Sequence, residues 1–272
     1  MTSNNEIKIT FLGTGDAFGH GGRLQPCIMV ETPLRRFLMD CGTTATLAMH
    51  RFGIAPNDIE LILISHLHGD HFGGLPFFML DAQLHSKRRG PLNIVGPEGT
   101  GERLKAAMEI MFPGSSGIKQ KFSMNVMELQ PETPWCYHEI TVHALEVIHP
   151  SGSPALAFRL EIGDKVIAYT GDTEWFDGLI PILKNANLLI AESYFYEKDI
   201  KYHLNYRTLM EQMPSLKPRK LLLTHMSQDM LDRLEKIDTK AAYDGLEVRY
   251  ALEGSVRKAG NRLRVTAQPA PS

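Results

Sequence analysis

The sequence predicts an α/β protein whose sheets are covered on their outer faces by helices. Three observations predict it. Leu61–Ile64 and Leu188–Ala191 are continuous apolar runs, as expected of strands buried on both faces. Glu6–Leu12 alternates polar and apolar residues with the period of a half-buried strand. Along the chain, runs of strands alternate with runs of helices. With 272 residues and 43% apolar content the chain can bury a substantial core. No linker rich in Pro, Gly or Ser divides it, so residues 1–272 read as a single domain.

The elements follow in order. The first strand, Glu6–Leu12, ends at the turn Gly13-Thr14-Gly15. Ile28–Glu31 and Arg36–Met39 are the next strands. Asp40-Cys41-Gly42 stops the second of these, and Thr43 or Thr44 is placed to cap a helix through Leu47, Ala48 and Phe52. After Leu61–Ile64 come a helix over Leu75–Leu84, a strand over Leu92–Val95, and a helix over Glu98–Met111 that ends at Phe112-Pro113-Gly114. The second half predicts strands at Met124–Leu129, Ile140–Ile148, Ala155–Glu161 and Lys165–Tyr169, then a helix over Phe176–Leu183 and the strand Leu188–Ala191. A helix over Tyr206–Met213, a strand over Lys220–Leu223 and a helix over Asp229–Lys236 complete the pattern. Met1–Asn5 and Gln268–Ser272 are polar or carry Pro and are expected to be loose ends.

Composition excludes several classes. No apolar stretch reaches membrane-spanning length and the first thirty residues lack a signal-peptide pattern, so a cytoplasmic protein without a membrane partner is expected. The three cysteines, Cys27, Cys41 and Cys136, form no Cys-x-x-Cys pair and are read as buried packing residues. A formal charge of -2 supplies no overall attraction for a long polyanion. The short basic runs Lys87-Arg88-Arg89 and Lys217-Pro218-Arg219-Lys220 read as solvated loop or helix ends that could touch phosphate.

Chemistry is concentrated at Ser65-His66-Leu67-His68-Gly69-Asp70-His71, directly after an apolar strand. Neutral imidazole and carboxylate are ligands for zinc and its neighbours, and four of them this close cannot all reach one ion from a single turn of chain. Two metals are therefore expected. His66 and His68 alternate on extended backbone and can face one ion, while Asp70 and His71 lie past Gly69, where the chain bends toward a second. His149, Asp172 and His225 each end another apolar strand, where ligands of a layered α/β protein converge. Gly171 allows the sharp turn into Asp172.

With these residues in view the chain resembles the metallo-β-lactamase superfamily in its ribonuclease Z-like branch. Besides the histidine run, the resemblance rests on Phe11-Leu12-Gly13-Thr14-Gly15, Asp40-Cys41-Gly42, Val95-Gly96-Pro97-Glu98-Gly99, Tyr169-Thr170-Gly171-Asp172-Thr173, Ala191-Glu192-Ser193-Tyr194 and Leu223-Thr224-His225. It implies a four-layered αβ/βα sandwich with metals at one edge between the sheets. It also implies that His66, His68 and His149 hold the first metal, that Asp70, His71 and His225 hold the second, and that Asp172 bridges them. Zn is the expected ion and Mn the next. Glu192 and His203 match the acid pair that stands beside the metals in this branch, His203 protonating a leaving oxygen and Glu192 orienting it. Asp70 is placed to accept a proton as well as to ligate.

The function expected is that of a metal-dependent hydrolase, a phosphodiesterase acting on a small phosphodiester or a short RNA. A dinuclear site would equally serve a lactone or other carboxylic ester, and the Glu192 and His203 pair is what leans toward phosphate. A noncatalytic binding protein is opposed by the intact ligand set. Ribonuclease Z proper commonly carries a long glycine-rich arm between the positions of His149 and Asp172, and here only Pro150–Gly171 lies between them. That departure points away from tRNA and toward a smaller substrate. His20, in Gly19-His20-Gly21-Gly22-Arg23, could overhang the pocket. A homodimer is the assembly the resemblance allows, and the Met- and Phe-rich stretch from Leu75 to Trp135 could serve it.

Overall fold

The computed structural model describes residues 5–253 except Glu132. Along the chain run β1 (Glu6–Gly13), β2 (Cys27–Glu31), β3 (Arg36–Met39), α1 (Ala45–Arg51), β4 (Ile59–Leu63), α2 (Gly69–Phe72), α3 (Leu75–Leu84), β5 (Leu92–Gly96), α4 (Thr100–Met111) and β6 (Met124–Glu128). They are followed by β7 (Trp135–Tyr137), β8 (Ile140–Val147), β9 (Ala155–Ile162), β10 (Lys165–Tyr169), α5 (Leu179–Leu183), β11 (Leu188–Glu192), α6 (Tyr206–Leu216), β12 (Leu221–Thr224), α7 (Gln228–Leu231) and β13 (Glu247–Ala251). One sheet has seven strands in the order β13-β1-β2-β3-β4-β5-β6, the other six in the order β12-β11-β10-β9-β8-β7. In the first, β3 to β6 are parallel to one another; in the second, β10, β11 and β12 are.

The two sheets face each other across a core that includes Ile9, Phe11, Phe37 and Leu63 from the first and Val142, Phe158, Ile167 and Ile190 from the second. The alternate residues of the same strands face outward. Ile62 and Ile64 pack with Met49, Phe78 and Met79. Leu189 and Ala191 pack with Leu179, Leu209 and Met230. This double burial is why Leu61–Ile64 and Leu188–Ala191 are apolar at every position, each large buried side chain contributing about 1.5–3 kcal/mol. The result is the four-layered αβ/βα sandwich.

Several elements depart from the sequence reading. β13, which was not expected, pairs antiparallel with β1 at the sheet edge. Its outward residues Glu247 and Arg249 pair with each other and with Lys8 and Glu6, so it carries little apolar signal. The three-residue β7 also lay below any periodicity. The helix expected over Asp229–Lys236 is α7 followed by a separate 3-10 turn at Leu234–Lys236. α6 runs three residues further than expected, continuing through Pro214, which cannot donate the N–H that would meet the Met210 carbonyl, and ends at Lys217 in a left-handed conformation, φ 45°.

Neither threonine caps α1: Thr44 Oγ1 accepts from the Gln25 amide at 2.9 Å, and Thr43 Oγ1 donates to the Gly69 carbonyl at 3.1 Å. Cys27 and Cys41 are buried, but Cys136 is exposed, contrary to its reading as a packing residue. Of the expected loose ends, Asn5 is tied down, its side chain donating to the Leu252 carbonyl. Met1–Asn4 and Gln268–Ser272 lie outside the described residues. Arg88 is not solvated. It is 2% exposed and donates to the carbonyls of Pro56, Ile59, Gly90 and Pro91, tying the segment before β4 to the segment before β5. Among the described residues no helix is long and apolar enough to cross a membrane.

Candidate metal centre

The strand ends of both sheets meet at one edge. Ser65 and His66 continue β4, His149 follows β8, Asp172 follows β10 and His225 follows β12. Backbone hydrogen bonds tie the sheets together there, Leu156 N–H donating to Ser65 O and His225 N–H to Thr14 O. α2, which carries Asp70 and His71, is pressed against the turn after β3: a Cβ on Gly74 would lie 2.1 Å from the Gly42 carbonyl oxygen, and one on Gly42 would lie 2.2 Å from that of Asp70. Only glycine permits this approach. Asp40, Tyr202 and His225 adopt left-handed backbone conformations, φ 59°, 73° and 53°. For residues with side chains that is a strained choice, and it recurs where geometry serves a site.

Of four groups of ligand-type atoms that lie within 4.8 Å of one another among the described residues, two gather these residues: His66, His68 and His149 in one, Asp70, His71, Asp172 and His225 in the other; the remaining two include His203. Asp172 lies between them. Its Oδ1 is 3.4 Å from His71 Nε2, and its Oδ2 is 3.3 Å from His225 Nε2 and 3.9 Å from both His66 Nε2 and His149 Nε2. Asp70 Oδ2 reaches only the second group, 3.1 Å from His225 Nε2 and 3.4 Å from His71 Nε2. All seven residues that sequence reading grouped are therefore brought together at one edge of the sandwich.

The protonation pattern suits cation binding. His149 Nδ1 lies 2.8 Å from the Tyr202 carbonyl, which can only accept, so Nδ1 carries the hydrogen and Nε2 is bare in the neutral ring. His71 Nδ1 likewise donates to Asp40 Oδ2 at 2.7 Å. Ser65 Oγ donates to Asp40 Oδ2 at 2.9 Å and so accepts from His66 Nδ1 at 3.1 Å. Three Nε2 atoms are thereby aimed inward, while His68 presents Nδ1, 2.9 Å from His149 Nε2. The buried atoms His66 Nε2, His71 Nε2 and Asp172 Oδ1 have no hydrogen-bond partner. Each unpartnered buried polar atom costs about 1–3 kcal/mol, a cost that a coordinated cation removes.

Charge leads to the same conclusion. Burial, and secondarily the neighbouring His71, hold His66 well below the ordinary imidazole range, and burial brings His149 down to about 4, so both rings are neutral at neutral pH, the form in which imidazole can ligate. Burial also opposes charge on His71 and His225. There the carboxylates win: Asp172, Asp70 and Asp40 hold His71 well above its usual range, and Asp172 with Asp70 lifts His225 to about 9. A divalent cation would satisfy the same negative field and release those protons.

Asp40 was read from the sequence as a strand stop and as part of the Asp40-Cys41-Gly42 motif, with no role of its own, yet it organises the site. Wholly buried, it accepts from the Ser65 amide at 2.7 Å, from Ser65 Oγ, from Tyr169 OH at 2.8 Å and from His71 Nδ1. The signal available was an acidic residue between a strand and a glycine, which is also what an ordinary turn looks like. Asp40→Asn, which keeps the shape but can no longer accept at every contact, is expected to lower metal affinity about 10- to 100-fold. Metal titration monitored by calorimetry checks this, and unchanged affinity would leave Asp40 a folding residue.

Glu192 and His203 stand beside the second group. Wholly buried, Glu192 accepts from the Thr173 amide through Oε1 and faces His203 Nδ1 through Oε2 at 2.9 Å. Burial, followed by the charge of Asp172, raises Glu192 above the usual carboxyl range. Burial lowers His203, but the hydrogen bond to Glu192 and the charges of Glu192 and Asp172 together raise it above the usual imidazole range. The His203 ring stacks on Tyr194, with centroids 4.8 Å apart, and lies 4.9 Å from the His149 ring. Its nitrogens also come within 4.8 Å of ligand atoms of His149 and Asp172, so it is near enough to ligate. His20 belongs to none of the ligand groups and is held by Asp16, with Nδ1 to Oδ2 at 2.5 Å.

Comparison with known proteins completes the description. The family described as Anti-Pycsar protein Apyc1 matches over residues 7–243. The chain is 30% identical over 176 residues to a ribonuclease Z from Mycobacterium sp. strain KMS, a match covering 61% of each. It thus spans about three-fifths of the length of that relative. It is 29% identical over 273 residues to ribonuclease Z of Pyrococcus horikoshii, covering 81% of this chain and 86% of the relative. The metallo-β-lactamase fold protein YhfI of Bacillus subtilis superposes with a TM-score of 0.75 at 22% identity, covering 90% of this chain and all of YhfI.

Proposed function

The chain belongs to the family of the anti-Pycsar protein Apyc1 and to the ribonuclease Z-like branch of the metallo-β-lactamase superfamily, and from that premise we propose that it is a metal-dependent phosphodiesterase for small phosphodiesters. The observation that carries the reading is the Glu192 and His203 pair, 2.9 Å apart at the rim of a cluster of seven ligand-type residues. A lactone needs no separate acid for its leaving oxygen, whereas an alkoxide leaving from phosphorus does.

His66, His68 and His149 would hold one divalent cation and Asp70, His71 and His225 the other, with Asp172 between them; Zn is the expected ion and Mn the next. Two such cations supply Lewis-acid polarisation of a phosphoryl oxygen and make water nucleophilic at neutral pH. The protein's own groups do the rest. Asp70 would accept the proton of the attacking water. As the bond from phosphorus to the leaving oxygen breaks, His203 gives that oxygen a proton from Nε2, and Glu192 steadies the imidazolium through Nδ1 beforehand.

Substrate size is inferred from the interval between His149 and Asp172. β9 and β10 pair over Phe158–Ile162 and Lys165–Tyr169 as a hairpin turning at Gly163-Asp164, and the five residues Pro150–Pro154 that precede it are too few for a projecting arm. A cyclic nucleotide, a cyclic sugar phosphate or a short RNA needs none. The reading takes residues 1–272 as one domain acting in the cytoplasm, with a homodimer as the expected assembly. Turnover of the Zn- or Mn-loaded protein on bis(p-nitrophenyl) phosphate is expected to exceed that on a panel of lactones. Preference for the lactones would overturn phosphodiester chemistry and leave the fold as shared ancestry.

A further inference from the structure

A cavity of about 230 Å³ lies between the C-terminal end of α3 and the segments that lead into β5 and β6. β4, β5 and β6 are parallel, and the metal centre gathers at the C-terminal ends of its strands. The cavity therefore opens at the opposite edge of the sheet. It has its own chemistry. Lys87, Arg89, Lys119 and Lys121 line it, no carboxylate does, and among the described residues none of the four makes an ion pair. Leu84, Ile118 and Phe122 give the lining its apolar part, Leu84 and Ile118 exposed by 65% and 49% and Phe122 buried. Two amides complete the lining: Gln83 has both Oε1 and Nε2 buried without a partner, and Gln120 has a buried, unpartnered Oε1.

Cations alone would suit any anion, and apolar side chains alone any small hydrophobe. Together with unpartnered amides they suit a ligand that is flat and apolar on its faces, carries donors and acceptors on its edge, and bears phosphate. A glutamine amide offers one acceptor and two donors, the complement of a nucleobase edge. A cavity below drug size takes one ring, with its phosphate left at the charged rim. We propose that this cavity binds a mononucleotide, its base on Leu84, Ile118 and Phe122, its edge read by Gln83 and Gln120, and its phosphate held by the four cations. Occupancy does not compete with hydrolysis, because the two sites lie at opposite sheet edges.

The test is calorimetric titration of the metal-loaded protein with adenosine 5′-monophosphate, with Lys119→Ala/Lys121→Ala and Gln83→Leu titrated in parallel. Whatever binds at the metal centre is common to all three proteins. The expected result is one further molar equivalent in the unsubstituted protein, lost in the double lysine variant and weakened tenfold or more in Gln83→Leu. Turnover of bis(p-nitrophenyl) phosphate should be the same in all three. Equal uptake by the three proteins overturns the proposal. Inorganic phosphate binding there as tightly as the nucleotide, and indifferent to Gln83→Leu, overturns it in favour of a bare anion site. A single-stranded oligonucleotide binding there more tightly than the mononucleotide overturns it in favour of nucleic-acid contact.

Discussion

Asp172→Ala is expected to lose bound metal and to lower turnover of bis(p-nitrophenyl) phosphate by about 10³-fold or more. Several kcal/mol of charge stabilisation vanish with the cations, and each ~1.4 kcal/mol is a factor of ten. The expectation follows from where the carboxylate stands. Asp70 touches only His71 and His225, whereas Asp172 comes within 3.9 Å of His66, His71, His149 and His225. Without it, two divalent cations would face each other with no negative charge between them. The effect should exceed that of removing any single histidine, because one imidazole serves one ion. Metal content by atomic emission is the primary readout, and circular dichroism separates metal loss from unfolding. Asp172→Asn, which keeps the shape and drops the charge, is expected to lose metal as well. Retention of two equivalents by Asp172→Ala would show that the cations do not share this carboxylate, and the assignment of Asp172 to a bridge would fall.

The residues grouped as ligands were legible because metal chemistry restricts residue types. Three imidazoles and a carboxylate in six positions after an apolar strand have few other uses, and His149, Asp172 and His225 each follow a strand recognisable by its own pattern. What the sequence hid acts through hydrogen bonds that leave no compositional mark. Asp40 reaches His71 across 31 positions of chain. Tyr202 holds His149 through a backbone carbonyl, which any residue would supply. Arg88 looked like part of a solvated basic run, because a buried guanidinium is recognised only by the four carbonyls it meets after folding. β13 was missed although Glu247-Val248-Arg249-Tyr250 alternates as a half-buried strand does, because the run is short and charged residues hold its open face.

His203→Ala is expected to leave metal content unchanged and to lower turnover by about 10²-fold or more on diesters with poor leaving groups, the usual size of a general-acid contribution. The loss should shrink on p-nitrophenyl esters, whose leaving oxygen departs without a proton. That dependence distinguishes an acid from a merely structural ring, since loss of the Tyr194 stack alone would slow every substrate alike. It also answers the proximity of His203 to His149 and Asp172, which would let it ligate. A ligand would take metal with it when removed; an acid would not. Glu192→Gln refines the test. The amide can still meet His203 Nδ1 but no longer stabilises the imidazolium, so the same leaving-group dependence should appear in weaker form with metal retained. An unaltered rate across leaving groups in His203→Ala removes His203 from the reaction, and with it the observation that favours phosphodiesters over carboxylic esters.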